Sequence, residues 1–325
     1  MTLLEVTDLS VDLPLPRGAV RVVDGATFRL DAGESLGVVG ESGSGKTMTA
    51  LALMGLAPEG ARIGGSIRFE GRELVSSSEE AMRALRGDRM AMIFQEPMTA
   101  LNPLHRVGVQ VAEPLVLHRG LSRSAAFGEA VRLLERVRLA DPERAAHAYP
   151  FALSGGERQR AMIAMAIGCG PRLVIADEPT TALDVTVQAR ILALIDGLRV
   201  ETGMAVILVS HDLAVVAGNC DRVLVLYGGL VMESGPVEVV LRAPKNPYTR
   251  ALLEARPEPG APRGARLKTI PGAPPRHRDV GAGCPFAARC ELTVDVCRTA
   301  RPPSVAFGAG HVSRCWRAAE VGEAP

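Results

Sequence analysis

Hydrophobic positions in the first forty residues follow two patterns. Residues 3–13, "LLEVTDLSVDL", alternate apolar and polar side chains, and residues 25–40, "GATFRLDAGESLGVVG", alternate before ending in an unbroken apolar run and a glycine. Period-two alternation predicts half-buried strands, and the apolar run predicts a strand edge that feeds a glycine loop. Between about residues 97 and 166 the period lengthens. In "RVGVQVAEPLVLHRG", "RSAAFGEAVRLLERVRL" and "GGERQRAMIAMAIG" apolar residues recur at steps of three and four, which predicts a helical insert. Short apolar runs return at "RLVIAD", "MAVILVS" and "DRVLVLYGG", separated by the helix-like "DVTVQARILALIDGLRVETG". Strands alternating with helices predict an α/β chain with a largely parallel sheet. From Arg256 to Gly283 proline, glycine and arginine dominate, as in a linker. The expected organisation is one module over residues 1–255, with its helical subdomain at about 97–166, and an extension over 256–325.

Two motifs sit where that pattern places strand ends. "GVVGESGSGKTMTA" contains Gly40-x-x-x-x-Gly45-Lys46-Thr47 between a strand and a helix, the setting a phosphate-binding loop requires. Glycines let the backbone N–H groups of Gly40, Ser42, Gly43, Ser44, Gly45 and the residues through Met48 turn toward phosphate oxygens, and the helix N-terminus adds partial positive charge. Lys46 reaches the β and γ phosphates, and Thr47 offers a hydroxyl to Mg²⁺. In "RLVIADEPTTALD" an apolar strand delivers Asp177 and Glu178 at its carboxyl edge. Asp177 is expected to hold Mg²⁺ through water and Glu178 to orient the attacking water, since phosphoryl transfer is mostly positioning and charge stabilisation.

Composition narrows the partners. Among 325 residues, 37 basic and 36 acidic side chains leave a formal charge of +1, too little to hold nucleic acid or anionic lipid by counterion release. The opening "MTLLEVTDLSVDL" has no basic flank before an apolar core, and no apolar run reaches the roughly 18 residues that would span a bilayer, so a cytosolic chain is expected. In a reducing compartment, the gathering of Cys284, Cys290, Cys297 and Cys315 within residues 283–316 points to a metal or cluster rather than disulfides. Their spacing lacks paired C-x2-C knuckles. Four thiolates can hold a [4Fe-4S] cluster or Zn²⁺, His311 can replace a ligand, and unliganded thiols are the third alternative. Cys169 and Cys220, in apolar surroundings, read as core residues.

Further motifs carry a resemblance. Upstream of the acidic strand lies "LSGGERQR", and downstream come "ALD" at 182–184 and "SHD" at 210–212. With the phosphate loop and Gln95 in "MIFQEP", these resemble the ATP-binding cassette (ABC) family in composition and order, which implies the P-loop NTPase fold of the ABC type. The resemblance implies that Ser154, Gly155 and Gly156 serve the phosphates of an opposing subunit, so that ATP is sandwiched between two such chains. It implies that His211 contacts the γ-phosphate, that Gln95 joins the Mg²⁺ site to the helical insert, and that Asp184 belongs to the D-loop. Family members commonly stack adenine on an aromatic residue upstream of the phosphate loop, yet residues 8–24 contain none. Arg17 either offers a guanidinium plane in its place or is a solvated loop charge, the reading that the lack of an aromatic partner favours, and Leu13 with Val22 offers an apolar shelf.

"EPMTALNPLHRVGVQVAEPL", "DEPTTALDVTVQARIL", "HDLAVVAGNCDRVLVLYGG" and "NPYTRALLEARP" are similar to the ATPase subunits of bacterial oligopeptide and dipeptide importers. "TIPGAPP" followed by "GCPFAARC" is similar to the carboxyl extension of their D-type subunit. That resemblance implies an F-type ATPase paralogue as the opposing subunit, two membrane permease subunits, an extracytoplasmic peptide-binding protein, a [4Fe-4S] cluster in the tail, and a peripheral position on the cytoplasmic face of the membrane. The competing readings are an importer ATPase for another solute such as nickel or a glycan, a soluble ABC ATPase acting on ribosomes or DNA, and a metal- or redox-sensing regulator.

Overall fold

The computed structural model describes residues 1–16, 18–96, 100–181, 183–255 and 268–322. Arg17, Ala182 and the first half of the expected linker, residues 256–267, lie outside the described residues, as do residues 97–99 at the start of the expected insert. In chain order the described strands are β1 (Thr2–Leu15), β2 (Gly18–Asp31), β3 (Ser35–Val39), β4 (Arg62–Phe69), β5 (Arg72–Glu73), β6 (Met90–Ile93), β7 (Leu173–Asp177), β8 (Ala205–Ser210), β9 (Arg222–Tyr227), β10 (Leu230–Pro236), β11 (Ser304–Ala306) and β12 (Val312–Arg314). The chain divides into two compact units: Met1–Leu3 with Leu30–Ser35 and Ser76–Val209, and Leu4–Arg29 with Leu36–Val75 and Ser210–Pro325.

The first unit joins a parallel trio of strands to helices. β6 pairs with β7 and β7 with β8, in registers that set Met90 beside Leu173 and Asp177 beside Val209. Every side chain of β7 is buried, as it must be in a parallel strand covered on both faces. Helices Val107–Arg119, Arg123–Arg136, Pro142–His147 and Gly155–Ile167 form the insert that the longer period predicts. Ser122 and Asp141 cap the second and third by accepting from Ala125 N–H and Arg144 N–H, and Gly120 closes the first in the left-handed conformation. Ala126, Ala130, Leu133 and Leu134 form the buried stripe of the second helix. Gly108 lets the first helix approach its neighbours, since a Cβ there would lie 2.7 Å from the Phe127 ring and 2.9 Å from Ala146.

The second unit holds two groups of strands. One is antiparallel, in the order β2-β1-β4-β5. In β1 the buried positions run Leu4, Val6 and then Leu9, Val11, so the alternation slips by one residue. A bulge absorbs the slip: pairing with β4 shifts between Thr7 and Ser10, and Asp8 takes φ 49°. The other group runs β11-β12-β10-β9-β3, with β3 parallel to β9 and the remaining pairs antiparallel. The cysteine-rich tail therefore continues the strand pairing of this unit, Glu233 standing opposite Ser313 and Ser234 opposite Val312. Asn246 ties the same strands from outside by donating its Nδ2 hydrogens to the Met232 and Arg314 carbonyls, both at 3.0 Å.

Aromatic residues make up only 3% of the chain, yet three of them meet in this unit's core. Tyr227, Tyr248 and Phe286 pack with ring centroids 4.5 to 5.2 Å apart, all nearly inaccessible to solvent. Phe286 belongs to the tail, so the tail completes the core instead of resting on it. Phe286→Ala is expected to destabilise this unit by about 3–4 kcal/mol, through lost burial and the cavity left behind. Urea unfolding followed by tyrosine fluorescence measures it; an unchanged midpoint would show that the tail folds apart from that core.

Candidate functional site

In the second unit β3 runs into the phosphate loop, which turns directly into helix Lys46–Leu53. The loop needs its glycines for contact as well as conformation. A Cβ at Gly40 would sit 2.1 Å from the Leu226 carbonyl, and one at Gly45, where φ is 102°, would sit 2.5 Å from the Val22 carbonyl. Lys46 is only 5% exposed, and its ammonium donates to the carbonyls of Gly40 at 2.8 Å and Glu41 at 3.1 Å. Ser44 Oγ is buried without any hydrogen-bond partner. An orphaned hydroxyl of this kind costs about 1–3 kcal/mol, and its place among loop N–H groups fits an incoming phosphate oxygen. Ser42 and Thr47 are exposed and Met48 is half-buried. His211, exposed, follows β8 in "SHD", where Asp212 donates its N–H to Ser210 Oγ and caps the next helix through Ala214 N–H. Leu13 is half-buried in β1 and Val22 buried in β2.

The first unit carries the acidic pair. Asp177 ends β7 and is 3% exposed, while Glu178 follows it with φ 45°. A left-handed glutamate is rare and costs on the order of 1 kcal/mol, a strain that persists where surrounding contacts over-determine the backbone. Those contacts are present. Glu178 N–H donates to the Val209 carbonyl at 3.0 Å, while Gln95 Nε2 at 3.1 Å and Thr181 Oγ1 at 3.0 Å both donate to Glu178 Oε2. One carboxylate oxygen is thus held by two donors, which fixes the direction of the other. Thr181 escaped the sequence reading; its spacing of three from Glu178 across a turn was the available signal.

In the same unit Ser154 caps helix Gly155–Ile167 through a capping box. Its Oγ accepts from Glu157 N–H at 3.3 Å while its own N–H donates to Glu157 Oε2 at 2.8 Å. Gly155 and Gly156 form the first turn and pack beside the D-loop: added Cβ atoms would lie 3.6 Å from Leu183 and 3.2 Å from Val187. Asp184 caps the following helix, accepting from Val187 N–H at 2.9 Å. Ser154 is exposed and Gly155 and Gly156 half-buried, and Phe151, three residues before Ser154, and Val185, next to Asp184, are exposed at 68% and 83%.

The tail cysteines form a third candidate. Cys284 N–H donates to the Cys297 carbonyl at 2.7 Å, and all four thiols are free. Burial pushes the Cys284 thiol up to about 12 and the Cys290 thiol up to about 11, and both are raised further by Cys297 and Cys315. Cys315 is itself raised by burial and by Cys297. Thiols raised in this way become thiolates only when a positive charge compensates them. Among the described residues no three potential ligands are gathered into a group that could hold a metal ion. His311, the alternative ligand, is instead buried against Glu233, with Nε2 2.7 Å from the carboxylate. Cys169 is buried and Cys220 half-buried, the latter packed against the Tyr227 core.

Comparison with known proteins extends these observations. Residues 23–181 match the family model described as ABC transporter, and residues 232–297 match the oligopeptide/dipeptide transporter C-terminal region. The chain is 49% identical to the oligopeptide transport ATP-binding protein OppD of Salmonella typhimurium over 98% of this chain and 94% of the relative. It is 48% identical to the Escherichia coli protein of the same name, again over 98% and 94%. Among solved structures, the ATP-binding cassette MJ0796, a dimer in a post-hydrolysis state bound to ADP and Pi, superposes with a TM-score of 0.65 at 26% identity. That match covers 72% of this chain and 99% of the other.

The capping box generates a pH-dependent prediction. Hydrogen bonds from Ser154 N–H and Oγ–H, aided by Arg144, hold the Glu157 carboxyl below its usual range. A depressed folded pKa gives stability that is present above about pH 4.3 and is lost as the pH falls through the folded value. Glu157→Gln is expected to cost about 1 kcal/mol at pH 7 and to lose that cost on acidification toward pH 3. Chemical denaturation at both pH values reads the difference.

Proposed function

The chain belongs to the ABC transporter family, within the ATP-binding subunits of oligopeptide and dipeptide importers, and from that premise we propose how its residues bind and spend ATP. As a member it is an ATPase whose hydrolysis is coupled to peptide import. Gly40 and residues 42–48 of the loop hold the triphosphate, with Lys46 on the β and γ phosphates and Ser44 supplying the buried hydroxyl. Thr47 of the second unit, and Asp177 and Gln95 of the first, are the residues that would hold Mg²⁺, whose chemistry when bound is to neutralise phosphate charge. Glu178 orients the attacking water and His211 contacts the γ-phosphate. The observation that carries the catalytic assignment is the Glu178 carboxylate, left-handed in backbone and pinned through one oxygen by Gln95 and Thr181.

Ser154, Gly155 and Gly156 serve the nucleotide of an opposing ATPase, together with Asp184. A capped helix start at an exposed Ser154, with Phe151 and Val185 also exposed, supports that role, and the dimeric form of the similar cassette agrees with it. The opposing subunit is an F-type paralogue. On the helical insert a groove of about 850 Å³, lined by Val109, Val116, Leu117 and Phe127 and by the polar Gln110, Glu113 and Arg123, offers a mixed seat for a transmembrane permease subunit. No helix among the described residues is long and apolar enough to cross a membrane, so membrane attachment at the cytoplasmic face comes through such permeases. A peptide-binding protein outside the membrane completes the assembly.

For the tail, the gathering of Cys284, Cys290, Cys297 and Cys315 within residues 283–316 is what favours a [4Fe-4S] cluster; because the described residues do not group three of them as ligands, the thiols would have to close on the cluster as it binds, tying the extension into one lobe. Anaerobically purified full-length chain should contain iron and acid-labile sulfide in equal amounts, with broad visible absorption. Zinc without iron would replace the cluster by a single ion.

Glu178→Gln should leave Mg-ATP binding intact and slow turnover by about a hundredfold or more, because the water loses its orienting base. Steady-state phosphate release and nucleotide binding in the assembled transporter test this. Turnover at the unmodified rate would remove Glu178 from catalysis.

A further inference from the structure

We propose that Arg289, in the cysteine-rich tail, is a positioning residue for the phosphate loop, acting through Glu41 and seconded by Tyr248. The proposal rests on the reading of Gly40–Met48 as the ATP site and assigns the tail a part in it. Arg289 lies 248 residues from Glu41 in sequence, yet its guanidinium holds the Glu41 carboxylate from two sides, at 2.5 and 3.1 Å. Its remaining donors are all used as well: Tyr227 Oη at 2.9 Å, the Pro271 carbonyl at 2.8 Å and the Ile270 carbonyl at 3.2 Å. With a side chain only 6% exposed and every N–H engaged, this is a built socket, unlike an incidental surface pair.

Glu41 is fixed at two further points. Its N–H donates to Tyr248 Oη at 2.9 Å, and its carbonyl accepts from the Lys46 ammonium at 3.1 Å. Tyr248 is itself held in the aromatic core that Phe286 of the tail completes. The peptide after Gly40 therefore cannot rotate without breaking a contact to the tail, to Tyr248 or to Lys46. Because that carbonyl helps park the ammonium before nucleotide arrives, its placement sets how far Lys46 must move to meet a phosphate. A loop held in its binding conformation loses less freedom on binding, so the tail contributes to affinity for Mg-ATP and leaves the chemical step alone.

The test uses the full-length chain, with Mg-ATP affinity measured directly and kcat and KM measured in the assembled transporter. Arg289→Lys and Glu41→Gln should each weaken Mg-ATP binding about tenfold, and the double variant no more than either single one, since both remove the same contact. At saturating ATP, kcat should stay within about twofold of the unmodified chain, as expected when binding alone is lost. Unchanged affinity in the single variants, additive losses in the double variant, or a fall in kcat without a change in KM would each overturn the proposal. Should Arg289→Lys fail to fold, Tyr248→Phe keeps the buried ring and removes only the acceptor. It should weaken binding about threefold, the loss of one neutral hydrogen bond, and unchanged affinity there overturns the proposal equally. Failure of the unmodified chain to bind Mg-ATP would instead refute the ATPase reading on which this rests.

Discussion

A buried ammonium governs the phosphate loop. Lys46 has been withdrawn from water almost completely, and a cation in that position is tolerable only if oxygen atoms replace its hydration. The Gly40 and Glu41 carbonyls do so, and they can point inward only because glycine at 40 lets the chain pass the Leu226 carbonyl and glycine at 45 lets it pass that of Val22. Loop shape, glycine placement and the fixing of Glu41 are thus consequences of compensating one charge. The same logic runs through the acidic end of β7, where a strained Glu178 is held by donors that leave one carboxylate oxygen uncommitted to Gln95 and Thr181.

What the sequence disclosed was what is local. The phosphate loop, the capped helix at Ser154 and the acidic end of β7 each lie within a few consecutive residues, where spacing alone encodes geometry. The slip in β1 was also written there, as Leu4 and Val6 change phase to Leu9 and Val11, but alternation by itself does not say whether a strand bulges or ends. Gln95 is legible in the sequence only through family resemblance, since a lone glutamine has no signature; in the structure it lies within a hydrogen bond of Glu178.

The tail was the least legible part. Its cysteines raised an expectation of metal binding that the described residues do not gather into a ligand group, and nothing in their spacing revealed that neighbouring Arg289 grips Glu41, or that β12 pairs with β10. Contacts closing across more than two hundred residues leave no periodic trace, and a single arginine between two cysteines reads as a solvated charge. His311 shows the same limit in reverse. It looked available to a metal because the sequence could not show that Glu233 already held it.

Strand pairing between β10 and β12 bears on how the protein is made. β10 leaves the ribosome well before β12, and Phe286, which closes the aromatic core against Tyr227 and Tyr248, emerges between them. At about 5–20 residues per second β10 waits roughly 4 to 16 seconds for its partner, with an apolar edge open. A chain stopped before Phe286 would lack both the ring that fills that core and the strand that covers β10, and would leave the ribosome with an edge free to pair elsewhere.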